Sequence, residues 1–371
     1  MTKSPTFRIG VIGAGFGAQV QIPGFLSEGL KVVAVCARHM SRAQHVANQF
    51  GIPFYFSDYR QLLEMRELNA VSVVTPYPYH REISEATLEA GKHIICEKPL
   101  ASNISEASSM RNMARKHQHL TSMIDHEFRW MPQWAYVRDL IAEGYIGQFD
   151  LVRVNFYLGP PPPMKRILYL ESKKNNNPRN EFLWGVGSHY IDILRNWFGD
   201  IGGVKARMFI EDNDKRTVEQ QASAKINYYV KDNFSILMDF KSGGWGTLVG
   251  RKTLSDKQGL VEIEIVGSEG SIIIYHRLHN LNANNDRVFG SRLACDDKRE
   301  ELRIPSRYLS INDNRDSRLI PFRHLVRSFI KGTMEGNSPE PNFEDGYRCQ
   351  QVLNALVKSA ITNQRITINQ D

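Results

Sequence analysis

Phe7-Arg8-Ile9-Gly10-Val11-Ile12-Gly13-Ala14-Gly15-Phe16-Gly17-Ala18 is a short apolar run that passes without a break into a glycine-rich turn. Such a run bounded by turn residues reads as a buried strand, and the turn has G-x-G-x-x-A spacing ahead of a helix. Gly13 permits the tight turn, Gly15 lets backbone come close to a ligand, and Ala18 is small enough for helix and strand to pack. A second strand at Lys31–Val35 follows in the order a βαβ unit requires. Amide N–H groups at a helix start favour an anion. Gly13, Gly15, Phe16, Gly17 and Ala18 therefore read as the pyrophosphate cradle of a dinucleotide.

Outward from this segment, runs at Ala70–Thr75, His93–Cys96 and Leu120–Ile124 alternate with helix-compatible stretches at Arg42–Phe50, Arg81–Ala90 and Ser105–His117. Gly51 and Gly91 sit where glycine ends helices. The alternation predicts an α/β Rossmann domain with a doubly wound parallel sheet over residues 1–125. Past a helix expected at Gln133–Glu143 the period becomes two: Phe234, Ile236, Met238 and Phe240 alternate with Ser235, Leu237, Asp239 and Lys241, and Val261, Ile263 and Ile265 with Glu262 and Glu264. Residues 126–371 are expected to form a C-terminal α+β domain around a large, mainly antiparallel sheet. Its last helices are expected at Phe322–Ile330 and Arg348–Ala360. The stretch Gly159–Asn180, rich in Pro, Lys and Asn, reads as a long irregular loop: a lid, an oligomer arm or a disordered piece.

The 371 residues exceed one ordinary core, since a domain usually takes ~100–200 residues. The net charge of +7 comes without a block of like charges or basic and aromatic interleaving, which argues against nucleic acid as a partner. No apolar run approaches the ~20 residues of a membrane span, and the first residues carry no apolar signal segment. Cys36, Cys96, Cys295 and Cys349 form no C-x-x-C pair. A cytoplasmic protein with reduced thiols and no membrane contact is expected. His80, Glu97, His189 and Asp192 match no metal-ligand spacing, so no metal is expected.

At the end of the second strand, where an NAD site usually places a carboxylate against the ribose hydroxyls, the chain reads Cys36-Ala37-Arg38. Arg38 can pair with a 2′-phosphate that a carboxylate would repel, Ala37 leaves room, and His39 and Arg42 add positive charge. NADP(H) is favoured over NAD(H). Ligands of open α/β sheets lie beyond the carboxyl ends of the strands, which singles out Thr75, Pro76, Tyr77 and His80 after one strand and Glu97-Lys98-Pro99 after the next. A lysine in a desolvated cleft can polarise a carbonyl or supply its proton, and a neighbouring glutamate can orient it.

Together these segments resemble the glucose-fructose oxidoreductase and inositol dehydrogenase family (Gfo/Idh/MocA), and the likeness runs over essentially the whole chain. Asp125-His126-Glu127-Phe128-Arg129-Trp130-Met131-Pro132 is similar to its domain junction, followed by Gly144-Tyr145-Ile146-Gly147. Gly187-Ser188-His189-Tyr190-Ile191-Asp192 is similar to the helix bearing its site histidine, and Val266-Gly267-Ser268-Glu269-Gly270-Ser271 to its late hairpin. The resemblance implies Lys98 as acid/base beside nicotinamide and substrate, His189 as the assisting proton-transfer group, and a cis bond before Pro99. Glu97 and Arg129 join the expected cofactor contacts; Tyr77, Trp184 and Tyr190 join the expected substrate contacts. The implied activity is hydride transfer to or from a small polyhydroxylated or cyclic carbonyl or alcohol, such as a sugar or cyclitol. A sheet with one apolar face needs cover, from a partner in a homodimer or homotetramer or from the chain's own helices. One position departs from the pattern: many members carry aspartate four residues before the site histidine, and this chain carries Gly185. That keeps two other readings open, an NADP(H)-binding regulatory protein without chemistry and a nicotinamide-assisted hydrolase or lyase.

Overall fold

A computed structural model describes residues 7–158, 182–208, 233–252, 259–278, 286–293 and 298–369. The chain packs as two units: described residues up to Met131 together with Leu309–Gln351, and those from Pro132 to Tyr308 together with the described residues from Val352 onward.

The first unit is built on six parallel strands, β1 (Arg8–Ile12), β2 (Lys31–Cys36), β3 (Phe54–Phe56), β4 (Ala70–Val73), β5 (His93–Cys96) and β6 (Ser122–Ile124), in the order β3-β2-β1-β4-β5-β6. Helices α1 (Ile22–Ser27), α2 (Met40–Phe50), α3 (Tyr59–Leu63), α4 (His80–Glu89) and α5 (Ile104–Lys116) connect them. Both faces of the sheet are covered, which is why its central strands read as unbroken apolar runs. Gly51 ends α2 in the left-handed conformation, and Asn103 caps α5 by accepting the Glu106 N–H. The short elements β3 and α3 escape sequence reading: Phe54 and Tyr55 are exposed, and three residues show no period. The strand order reverses between β1 and β4, and the crevice beyond their carboxyl ends is where open sheets take ligands.

In the second unit one sheet contains β7 (Phe149–Leu158), β8 (Ile201–Met208), β9 (Phe234–Phe240), β10 (Trp245–Lys252), β11 (Leu260–Gly267), β12 (Gly270–Arg277), β13 (Arg287–Arg292), β14 (Glu300–Glu301) and β15 (Ile366–Thr367). Their order is β14-β13-β12-β11-β7-β10-β9-β8-β15. Among the described residues every pairing is antiparallel except β7 with β10. Phe234, Ile236, Met238 and Phe240 of β9 and Val261, Ile263 and Ile265 of β11 are buried, as their period of two predicts. Helices α6 (Pro132–Ala142) and α7 (Ser188–Phe198) pack on that inner face, with Phe149 stacked on Phe198 at 3.9 Å and Trp134 edge-on to His276 at 5.5 Å.

The C-terminal helices change the expected division at residue 125. α8 (Leu319–Glu335) carries the expected stripe of Phe322, Leu325, Val326 and Phe329, but these residues join the core of the first unit, against α1. Phe25 and Phe322 meet edge to face at 5.2 Å, and a Cβ on Gly24 would run into the Phe322 ring. α9 (Phe343–Thr362) starts in the same unit. An apolar stripe says that a face is buried, not which neighbour buries it. The stretch 159–180 and Cys295 lie outside the described residues; Cys36, Cys96 and Cys349 are free and buried. Among the described residues no helix is long and apolar enough to cross a membrane.

Candidate functional site

β1 ends at Ile12 and Gly13 turns the chain. Its N–H donates to the Cys36 carbonyl at 2.8 Å, its φ is +123°, and a Cβ there would strike the Val74 carbonyl. A Cβ on Gly17 would stand 3.0 Å from Val11 Cγ1, so the close helix–strand approach expected at Ala18 is made at Gly17, with Ala18 filling the core beside it. Gly15 is different: it is exposed, and a Cβ there would meet no protein atom within 4 Å. Packing does not require that glycine, whereas a pyrophosphate lying against the backbone does. Thr75 Oγ1, just past β4, is buried with no hydrogen-bond partner among the described residues. The cradle and the orphan hydroxyl both fit a bound dinucleotide. Arg38 lies exposed past β2, beside buried Ala37. Arg42 braces the turn by donating to the Ala14 carbonyl at 3.0 Å, and the Arg318 guanidinium lies 5.2 Å over the Phe16 ring.

Beyond β5 the Lys98–Pro99 peptide is cis, as the resemblance implies. His80 is buried nearby, one ring nitrogen 2.8 Å from the Thr75 carbonyl and the other 3.0 Å from the Pro99 carbonyl, and burial lowers its pKa. With its ring nitrogens against these two backbone carbonyls, His80 ties two strand-end loops together. Arg129 is likewise committed: only 6% exposed, it donates to Asp345 at 2.9 Å and pairs with Glu340 at 3.4 Å, joining the turn after β6 to the start of α9. Tyr77 is half-buried in a single turn of 3₁₀ helix, and Pro76 is exposed ahead of it.

Lys98 is half-buried, and its surroundings are acidic rather than apolar. Glu97 Oε2 accepts the Lys98 backbone N–H at 3.2 Å, while Glu97 Oε1 and Asp125 Oδ2 each accept from Gln21 Nε2 at 2.9 Å. The Gln21 carbonyl accepts from the Ser72 hydroxyl. Glu127 completes a buried trio in which the charges of Glu127 and Glu97 both act on the Asp125 carboxyl. Burial pushes all three upward against the opposing field of Lys98: Glu127 to about 8, Asp125 well above the usual carboxylate range, and Glu97 up with them. Glu127 therefore keeps its proton at neutral pH. Sequence reading passes over Gln21 and Ser72, and treats Asp125 and Glu127 only as part of a junction. The usable clue is their position just past the carboxyl end of β6. Gln21 has no such clue, because the helix after the glycine turn opens as a π turn, Gly17–Gln21, which shifts its face relative to an α-helix.

In the second unit a π turn at Leu183–Gly187 leads into α7. His189 and Asp192 are buried on that helix. Tyr190, expected against substrate, is 1% exposed, with its ring edge-on to Trp134 at 5.7 Å and Phe156 at 4.7 Å; it belongs to the core. Trp184 is buried, and its indole N–H has no partner among the described residues. Among the described residues, a Cβ on Gly185 would meet no atom within 4 Å. Lys98 belongs to the first unit, and His189 and Trp184 to the second.

Residues 7–125 match the family model described as oxidoreductase family, NAD-binding Rossmann fold, and residues 138–368 match its C-terminal alpha/beta domain. The chain is 26% identical to levoglucosan dehydrogenase of Pseudarthrobacter phenanthrenivorans, covering 98% of each chain. It is 26% identical to an uncharacterized oxidoreductase of Synechocystis sp., covering 97% of this chain and 95% of that one. Among solved structures, levoglucosan dehydrogenase in complex with NADH has the same fold, with a TM-score of 0.79 at 23% identity over 98% of this chain and 100% of that one.

Proposed function

The chain belongs to the Gfo/Idh/MocA oxidoreductase family, and from that premise we propose that it transfers hydride between NADP(H) and a small polyhydroxylated or cyclic alcohol or carbonyl of the sugar or cyclitol class. The observation that carries the reading is the presence, in one unit, of the open backbone at Gly15 and of Lys98 past the carboxyl end of β5. A bound dinucleotide supplies the hydride donor or acceptor at its nicotinamide ring. Gly13, Gly15, Phe16, Gly17 and Ala18 hold the phosphates, and Thr75 and Pro76 border the cofactor. Lys98 takes the proton that the substrate hydroxyl loses on oxidation and returns it on reduction. His189 orients that hydroxyl, and the Trp184 indole N–H and Tyr77 offer further polar contacts.

The substrate class rests on the similarity to levoglucosan dehydrogenase. The preference for NADP(H) rests on exposed Arg38 and on the lack of a carboxylate in Cys36-Ala37-Arg38. We also infer a homo-oligomer, from Leu237 and Trp245 exposed on one sheet face, and a reducing, cytoplasmic compartment, from the free thiols. Oxidation of NADPH and NADH across a panel of ketoses, inososes and cyclic ketones tests the activity. Turnover of at least one member is expected, and lack of turnover with both dinucleotides across the panel removes the proposal. The open space at Gly185 favours one second reading, a dinucleotide-binding protein without chemistry. Tight nucleotide binding with no hydride exchange would establish it.

A further inference from the structure

The helix that follows the glycine turn does not begin as an α-helix. Gly17–Gln21 form a π turn ahead of α1, and such insertions redirect a side chain and recur at functional sites. The side chain redirected here is Gln21, fully buried. Its amide has two N–H bonds, and they go to two different carboxyl groups, Glu97 and Asp125, each at 2.9 Å. Its carbonyl takes the Ser72 hydroxyl, which fixes the end of the amide that faces the acids. One amide nitrogen thus bridges the Glu97 and Asp125 carboxyl groups, and the charges of Glu97 and Glu127 both act on Asp125.

We propose that Gln21 is a positioning residue for Lys98: set inward by the π turn, it decides where the protons held by Glu97, Asp125 and Glu127 reside, and so how much negative charge the amine faces. N–H donors favour the ionised form of the carboxyl they bind, so Gln21 draws negative charge toward Glu97 and Asp125 and leaves Glu127 protonated to higher pH. Burial opposes ionisation of all three, and Lys98 favours it. Among the described residues the trio's field also acts on the buried Cys96 thiol and on the Arg318 guanidinium. The effect on turnover rests on the oxidoreductase reading; the protonation state does not.

Infrared titration of the full chain without added nucleotide, in D₂O, follows the C=O stretch of protonated carboxyl groups. Wild type should hold this band at neutral pH and lose part of it near pH 8, and Glu127→Gln should remove that part. Gln21→Met keeps the volume and deletes both donors, so the part of the band that belongs to Glu127 should be lost about one pH unit lower, as negative charge no longer drawn to Glu97 and Asp125 falls on Glu127. Ser72→Ala, which frees the amide to rotate, should give a smaller shift in the same sense. The pH profile of turnover should move with the band in Gln21→Met, while dinucleotide affinity stays within about threefold. A wild-type protein without a protonated-carboxyl band at neutral pH, or titration curves unchanged in both variants, overturns the proposal. If Gln21→Met fails to fold, the wild-type band and Ser72→Ala decide. Failure of the turnover assay with the titration intact counts against the oxidoreductase reading alone.

Discussion

Each unit leads into a helix through a π turn, Gly17–Gln21 before α1 and Leu183–Gly187 before α7, and the two turns have opposite surroundings. Around the first, the buried Gln21 amide is held at both ends, by Ser72 on its carbonyl and by two acids on its nitrogen. Around the second, the buried Trp184 N–H lacks a partner among the described residues, and none of their atoms lies within 4 Å of a Cβ built on Gly185. A buried polar network holds its members in place to the extent that their hydrogen bonds are made. A single orphaned donor costs ~1–3 kcal/mol, which a ligand acceptor can recover. On the oxidoreductase reading proposed above, the difference predicts proton chemistry arranged before any ligand arrives and recognition left for a ligand to complete.

The largest expected effect tests the first half of that contrast. Lys98→Ala should lower kcat by ~10²–10⁴, the range of general acid–base catalysis, while fluorescence titration shows dinucleotide affinity within about threefold of wild type. Retention of turnover would put the proton chemistry elsewhere.

Next comes the acid trio itself. The folded chain keeps the Glu127 proton to about pH 8, against a model-peptide value of 4.5, so between those pH values the folded state binds more protons than the unfolded one. Stability must then fall as pH rises through that window. Glu127→Gln, which resembles the protonated acid, should match wild type at pH 4 and exceed it above pH 8 by an amount of order a few kcal/mol, read by chemical denaturation at both pH values.

Two glycines in one turn separate packing from ligand approach. Gly13→Ala forces a Cβ onto the Val74 carbonyl at φ +123°, and should destabilise the protein by ~1–3 kcal/mol. Gly15→Ala has free space, so its melting temperature should hold while dinucleotide affinity falls by ~10–100-fold, a ~1–3 kcal/mol clash moved onto the ligand. Equal thermal losses in both would merge the two roles. On the other side of the comparison, Gly185→Asp also enters free space and should change stability by no more than ~0.5 kcal/mol. A carboxylate brought near His189 would raise the imidazole pKa, moving the acid limb of the oxidation pH profile upward.

The same contrast separates what was legible in the sequence from what was not. Strand and helix positions in the first unit follow from β-branched runs and from Gly51, because both depend on local chemistry. The alternation of β9 and β11 shows which residues face inward. The partner of α8 is invisible, since its stripe fits any apolar neighbour, and it takes Gly24 of α1 to admit Phe322. Lys98 stands out because strand ends are where ligands bind. Gln21 does not, because one extra residue in a helical turn changes its direction without leaving a mark in composition. The partners of His80 and Arg129 are invisible for a related reason: the carbonyls and carboxylates around them come from distant parts of the first unit.

The smallest expected effect concerns the edge of the first site. Arg38 is exposed, so its pairing with a 2′-phosphate would be partly screened by solvent and salt. A charge-assisted hydrogen bond of that kind contributes ~1–2 kcal/mol, about tenfold in affinity. Arg38→Ala should therefore weaken NADP(H) by about tenfold at low salt, less at high salt, and leave NAD(H) unchanged. The ratio of the two dissociation constants is the informative quantity, because any general loosening of the glycine turn moves both together. If both fall in parallel, Arg38 supports the turn as Arg42 does through the Ala14 carbonyl, and the choice of dinucleotide has to be made by another residue.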